Sequence, residues 1–115
     1  MIADLLQNAG FPGVESEAGV TWARLSPAGP EFRADPAGQA AILTLLWPVR
    51  LDAAVVAAWN AAHPGAILDL AGGEARLRLG VETAADLAEW PALAEAMIAT
   101  CLAFRRDQRA RGEGF

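Results

Sequence analysis

The chain contains no Lys and no Tyr, one His (His63) and one Cys (Cys101). Each shortage removes a class of chemistry. A lone Cys rules out an internal disulfide framework. Zinc and iron sites need clustered His, Cys or acidic ligands at defined spacing, and one His and one Cys on separate segments do not supply them. Without Lys, the glycine pair Gly72-Gly73 has no side chain of the kind that reaches a phosphate, and a strand rather than a helix start follows it, so it is not a nucleotide loop. Cys101 and His63 could formally make a nucleophile pair. Cys101 sits in an apolar helical stretch, where a Cys behaves as a small hydrophobe, and His63 sits at a helix end. No cofactor is expected.

Basic charge is also scarce. Nine Arg stand against fourteen acidic residues, a net charge of −5. This argues against nucleic-acid binding, which rests on neutralised phosphates. Arg105, Arg106, Arg109 and Arg111 cluster at the C-terminal end, where cations complement a helix dipole. The acidic residues Glu15, Glu17, Glu31, Asp35, Asp52, Glu82, Asp86 and Glu89 are scattered and read as solvated charge. The longest apolar run, Ala40 to Val49, is interrupted by Thr44 and Pro48 and falls short of the ~20 residues of a spanning helix. Met1-Ile2-Ala3-Asp4-Leu5 lacks the basic and apolar regions of a signal peptide. A cytoplasmic protein with no membrane partner is expected.

What is abundant is apolar: 54% of the 115 residues are hydrophobic and 20% charged, the balance of one folded domain spanning 1–115. Ile2, Leu5, Leu6 and Ala9 fall at helical spacing, so Met1–Ala9 is a short helix ended by Gly10, with Phe11 folding back on its last turn. Val20–Leu25 is a strand, and a turn at Ser26–Pro30 leads to a second at Glu31–Asp35. Pro36-Ala37-Gly38 is the next turn. Gln39–Trp47 is a near-continuous apolar run, either a strand buried on both faces or a buried helix; its length and Pro48 favour a central strand. Ala-rich Leu51–Ala62 is a helix closed by His63-Pro64-Gly65.

Ala66–Ala71 and Glu74–Leu79 flank Gly72-Gly73, a two-residue hairpin loop. The turn fixes the register: Ala71 opposite Glu74, Leu70 opposite Ala75, Asp69 opposite Arg76, Leu68 opposite Leu77, Ile67 opposite Arg78. Leu68, Leu70, Ala75 and Leu77 then share one face, and Asp69, Glu74, Arg76 and Arg78 the other. Asp69–Arg76 is a predicted ion pair. Thr83–Asp86 resembles a capping box. Pro91 either starts the last helix or kinks a longer one; the preferred reading is a short turn at Ala84–Glu89, a main helix from Pro91 to Gln108, and a frayed tail over 108–115.

The order is α-β-β-β-α-β-β-α, an α+β fold with helices packed on an antiparallel sheet. The expected core is Leu5, Leu6, Trp22, Ile42, Leu43, Leu45, Val55, Trp59, Leu68, Leu77, Leu79, Ala94, Ile98, Cys101 and Leu102. Aromatic residues are enriched at interfaces. Trp90, beside Pro91 at a helix start, is expected to be partly exposed, and Trp90 and Trp59 are the candidate partner-binding residues.

With this order, the chain resembles the YbjN family of bacterial proteins, whose fold is similar to that of the type III secretion chaperones. The likeness is carried by Val55-Val56-Ala57-Ala58-Trp59-Asn60, the Ala66–Leu79 hairpin, the closing Phe104-Arg105-Arg106, and the opening helix with Gly10-Phe11. It implies a chaperone-like α+β domain without catalytic residues, described as a sensory-transduction or stress regulator. The related chaperones are homodimers that hold unfolded segments of partner proteins along apolar grooves. The expected function is therefore a noncatalytic, homodimeric protein-binding regulator with an unidentified protein partner. The alternative is a small-molecule-binding regulator with a pocket between sheet and helices.

Overall fold

The computed structural model describes residues 2–112. The elements in chain order are α1 (Ile2–Asn8), β1 (Glu15–Glu17), β2 (Val20–Arg24), β3 (Glu31–Ala37), β4 (Ala40–Trp47), α2 (Ala53–Ala62), β5 (Ala66–Ala71), β6 (Glu74–Val81), α3 (Ala84–Ala88) and α4 (Trp90–Ala110). The fold is α+β. Six antiparallel strands form one sheet in the order β1-β2-β3-β4-β6-β5.

Local chemistry accounts for most boundaries. Gly10 (φ 88°) ends α1: its N–H bonds Gln7 O, while the Phe11 N–H reaches back to Leu6 O, the two bonds of a Schellman cap. Phe11 folds onto the core against Phe32, edge to face at 5.3 Å. Asp52 caps α2 by accepting from the Val55 N–H at 3.0 Å. Thr83 and Asp86 form a reciprocal capping box at α3. Pro91 lies in the first turn of α4, so it starts the helix and does not kink one. The expected tail from Gln108 begins too early, since α4 continues to Ala110. Met1 of the expected first helix and residues 113–115 of the tail lie outside the described residues.

The β5–β6 register is the expected one at all five pairs, from Ile67↔Arg78 to Ala71↔Glu74. Gly72 (φ 58°) and Gly73 (φ 85°) both occupy the left-handed region that this turn requires. β1 was not expected. Ala18 (φ 53°) and Gly19 (φ 83°) make a similar turn into β2, and Ala gives no signal for that conformation. Pro36 lies inside β3 and not in a turn; β2 pairs with β3 no further than Ala34, so no ladder bond is lost on that side.

The core corrects several expectations. Along β4, burial alternates: Ala41, Leu43 and Leu45 are buried, Ile42 and Leu46 exposed. β4 is central in the sheet but buried on one face only. Ile42 is therefore not a core residue, because neighbours on a strand point to opposite faces. Trp22, opposite Arg33, also lies on the outer face. On α4 the buried stripe is Trp90, Ala94, Met97, Cys101 and Phe104, which leaves Leu102 half exposed on the outside. Leu5, Val55 and Ile98 are only partly buried at the margin of the core.

Candidate interaction surface

Cys101 and His63, the two side chains weighed as a nucleophile pair, each pack within their own part of the fold. Cys101 is fully buried on α4, and its thiol donates to Met97 Sδ at 3.6 Å. Burial pushes that thiol up to about 11. A thiol reagent at pH 8 should leave Cys101 unlabelled in the native protein and label it within minutes in denaturant; native labelling at the denatured rate would contradict this burial. His63 caps α2, stacks on Trp59 with ring centroids 3.8 Å apart, and places Nδ1 3.1 Å from Trp59 O. Among the described residues no group of three His, Cys, Asp or Glu could hold a metal ion.

Both tryptophans put forward for partner contact are buried. Trp90 is 0% exposed and meets Phe32 edge to face at 5.5 Å. Its place at a helix start, next to a proline, suggested exposure; the start of α4 instead lies against the sheet. Trp59 is 4% exposed, as a core residue should be, and its indole N–H donates to Ala66 O at 3.0 Å. The next residue completes the arrangement. Asn60 donates from Nδ2 to Leu68 O and accepts from the Leu68 N–H through Oδ1, both at 2.8 Å. β5 is an edge strand. One amide side chain thus pairs with Leu68 as a neighbouring strand would, and three outward backbone groups of β5 are satisfied by α2. The Trp59-Asn60 pair covers the Ala66–Leu68 part of an edge that would otherwise offer itself for strand addition.

The uncovered surface is the other face of the sheet. Ala23, Phe32, Ala34, Leu43, Leu45, Leu68, Leu77 and Leu79 point towards the helices. The opposite face carries Trp22, Arg33, Ile42, Thr44, Leu46, Arg76, Arg78, Ile67 and Asp69. Ile42 is 37%, Leu46 47% and Ile67 52% exposed, so an apolar strip runs along β4 with a further Ile on β5. Ion pairs flank it. Arg33 forks onto Asp35 at 2.8 and 2.6 Å. Arg76 forks onto Asp69 at 2.9 and 2.7 Å, and Arg78 adds a contact at 3.1 Å. The expected Asp69–Arg76 pair is therefore present and extended. The alternation over 40–47 was the signal for this face, hidden because both of its faces are apolar.

Hydrogen bonding to Arg76 holds the Asp69 carboxyl below its ordinary 3.8. A carboxyl lowered by folding contributes its stability above the unfolded value and loses it as pH falls through the folded one. Both partners are about a third exposed, so the contribution is at most about 1 kcal/mol. Asp69→Asn should lower stability by that amount at pH 7 and by progressively less as pH falls through the lowered folded value, as measured by urea unfolding at a series of pH values from 7 downwards.

A cleft of about 370 Å³ lies between α1 and the β3–β4 hairpin, lined by Ile2, Leu5, Pro36, Ala40, Ala41, Val81 and Glu82 among others. The stretch Ala84–Ala110 is the one described segment long and apolar enough to cross a bilayer. It is broken at Glu89 between α3 and α4, and its stripe from Trp90 to Phe104 packs into the core. No family model, curated protein or solved structure matches this chain.

Proposed function

We propose that this chain is a noncatalytic protein-binding domain of regulatory or chaperone-like type, acting in the cytoplasm as a homodimer. Its resemblance to the YbjN family and the type III secretion chaperones agrees with that reading. One observation carries it: a sheet face with solvent-exposed Ile42, Leu46 and Ile67 between paired charges. Apolar strips rimmed by polar groups mark contact surfaces. The test is the double variant Ile42→Glu, Leu46→Glu. Both positions are exposed, so its melting temperature should stay within a few degrees of the wild type. Immobilised wild-type protein should retain a protein chain, its own tagged copy or one from the host, and the double variant should lose it. Equal retention by both would sink the reading.

A second reading, a small-molecule regulator, is favoured by the cleft beside α1. It predicts thermal stabilisation by apolar metabolites that is abolished by Ala40→Trp, which fills the cleft. Unchanged stabilisation in that variant would remove it.

A further inference from the structure

We propose that the uncovered sheet face pairs with the same face of a second copy of this chain, about a two-fold axis running parallel to β4. This rests on the protein-binding reading and names the occupant of the surface.

The register supplies the argument. Cross-strand pairing places Trp22, Arg33, Thr44, Arg78 and Ile67 in one row across the sheet. The next row holds Arg24, Glu31, Leu46, Arg76 and Asp69; Glu31 and Leu46 line one shallow pocket. A two-fold along β4 keeps the rows and exchanges β3 with the second copy's β6, and β2 with its β5. Ile42, Thr44 and Leu46 then meet their own copies, closing the apolar strip on itself. Trp22 meets the second copy's Ile67. Glu31 meets its Arg76, and Arg24 meets its Asp69, both opposite in charge. The one like-charged contact is Arg33 with the second copy's Arg78, and each already has a carboxylate of its own chain, Asp35 and Asp69. Aligned sheets cross at about 30°, which preserves these contacts near the axis.

Size and edges agree. Five strands overlap, β2 to β5 in sheet order, covering roughly 24 by 23 Å from strand spacing and rise. That is on the order of 600 Å² of plane per copy; side-chain relief brings it towards the ~800 Å² per partner of a stable interface. The strand left outside is β1, whose three residues, Glu15, Ser16 and Glu17, are all exposed and polar. Edge-to-edge pairing is obstructed on both sides, by Asn60 and Trp59 on β5 and by the short acidic β1.

Leu46 facing itself gives a specific test by sedimentation velocity. The wild type should be a dimer at tens of micromolar. Leu46→Glu alone and Leu46→Lys alone should each be folded monomers, with dimerisation weakened about a hundredfold or more by like charges brought together. Mixed in equal amounts, the two variants should dimerise again. A monomeric wild type, a single variant that still dimerises, or a mixture that stays monomeric would each overturn the inference. Should the wild type be monomeric while its face retains a host protein that the Ile42→Glu, Leu46→Glu variant loses, the protein-binding part of the reading stands, and its homodimer part fails together with the two-copy inference.

Discussion

Trp90→Ala is expected to lower the unfolding free energy by about 3–5 kcal/mol, the range for removing a fully buried aromatic. Trp90 sits where α4 meets β3, against Phe32, which in turn meets Phe11 behind the cap of α1. The cavity would open at the joint between three elements, where the backbone has little room to collapse. The melting temperature should fall by on the order of 15 °C. Trp90→Phe isolates the packing part of the effect. Among the described residues the indole N–H has no hydrogen-bond partner, and a buried orphan donor costs about 1–3 kcal/mol. Phe removes that orphan along with some volume, so its net cost should be well under half that of Ala. Urea unfolding of the three proteins checks both values. A Trp90→Ala variant within about 0.5 kcal/mol of the wild type would mean that Trp90 is a surface contact after all.

Asn60→Ala should be the most damaging change at a half-buried polar site. It deletes two hydrogen bonds at 2.8 Å and leaves the Leu68 N–H and C=O without partners. The expected loss is about 2–3 kcal/mol, since the unmet backbone groups cost more than the bonds contributed. A second consequence separates this from ordinary destabilisation. The β5 edge is opened, so Asn60→Ala should aggregate under conditions where an equally destabilised core variant does not. Amide exchange at Leu68 should accelerate more than at Leu77, its inward partner on β6. Asn60→Asp keeps an acceptor for the Leu68 N–H but sets a carboxylate oxygen against the Leu68 carbonyl, so it should not rescue stability.

How far the sequence can be read depends on whether the deciding contact is local. The β5–β6 register follows from two adjacent glycines, and with it the Asp69–Arg76 pair. The caps at Asp52 and Thr83 are equally local. Errors arise where apolar residues stand side by side. In β4, Ile42 and Leu43 are equally suited to a core, and only the sheet's single layer of helices decides between them. In α4, Cys101 and Leu102 differ by one position on the helix, and the buried stripe takes the first. The exposure expected of Trp90 failed because a helix start can dock as well as a helix middle. The Trp59-Asn60 pair stands out in the chain, but its role depends on a strand eight residues away turning back alongside α2. The uncovered sheet face was likewise illegible, since it is a property of what the helices leave bare.

The central claim is that this bare face meets itself with Thr44 on the axis. It is tested most directly by cross-linking Thr44→Cys with a short bis-maleimide, using Glu17→Cys on the outlying β1 as the comparison. Buried Cys101 does not compete for the reagent. Face-to-face sheets lie about 10 Å apart, within reach of such a linker. Thr44→Cys should give a covalent dimer at micromolar protein, and Glu17→Cys should remain monomeric. Absence of cross-linked dimer from Thr44→Cys, or equal cross-linking of the two variants, would contradict the account.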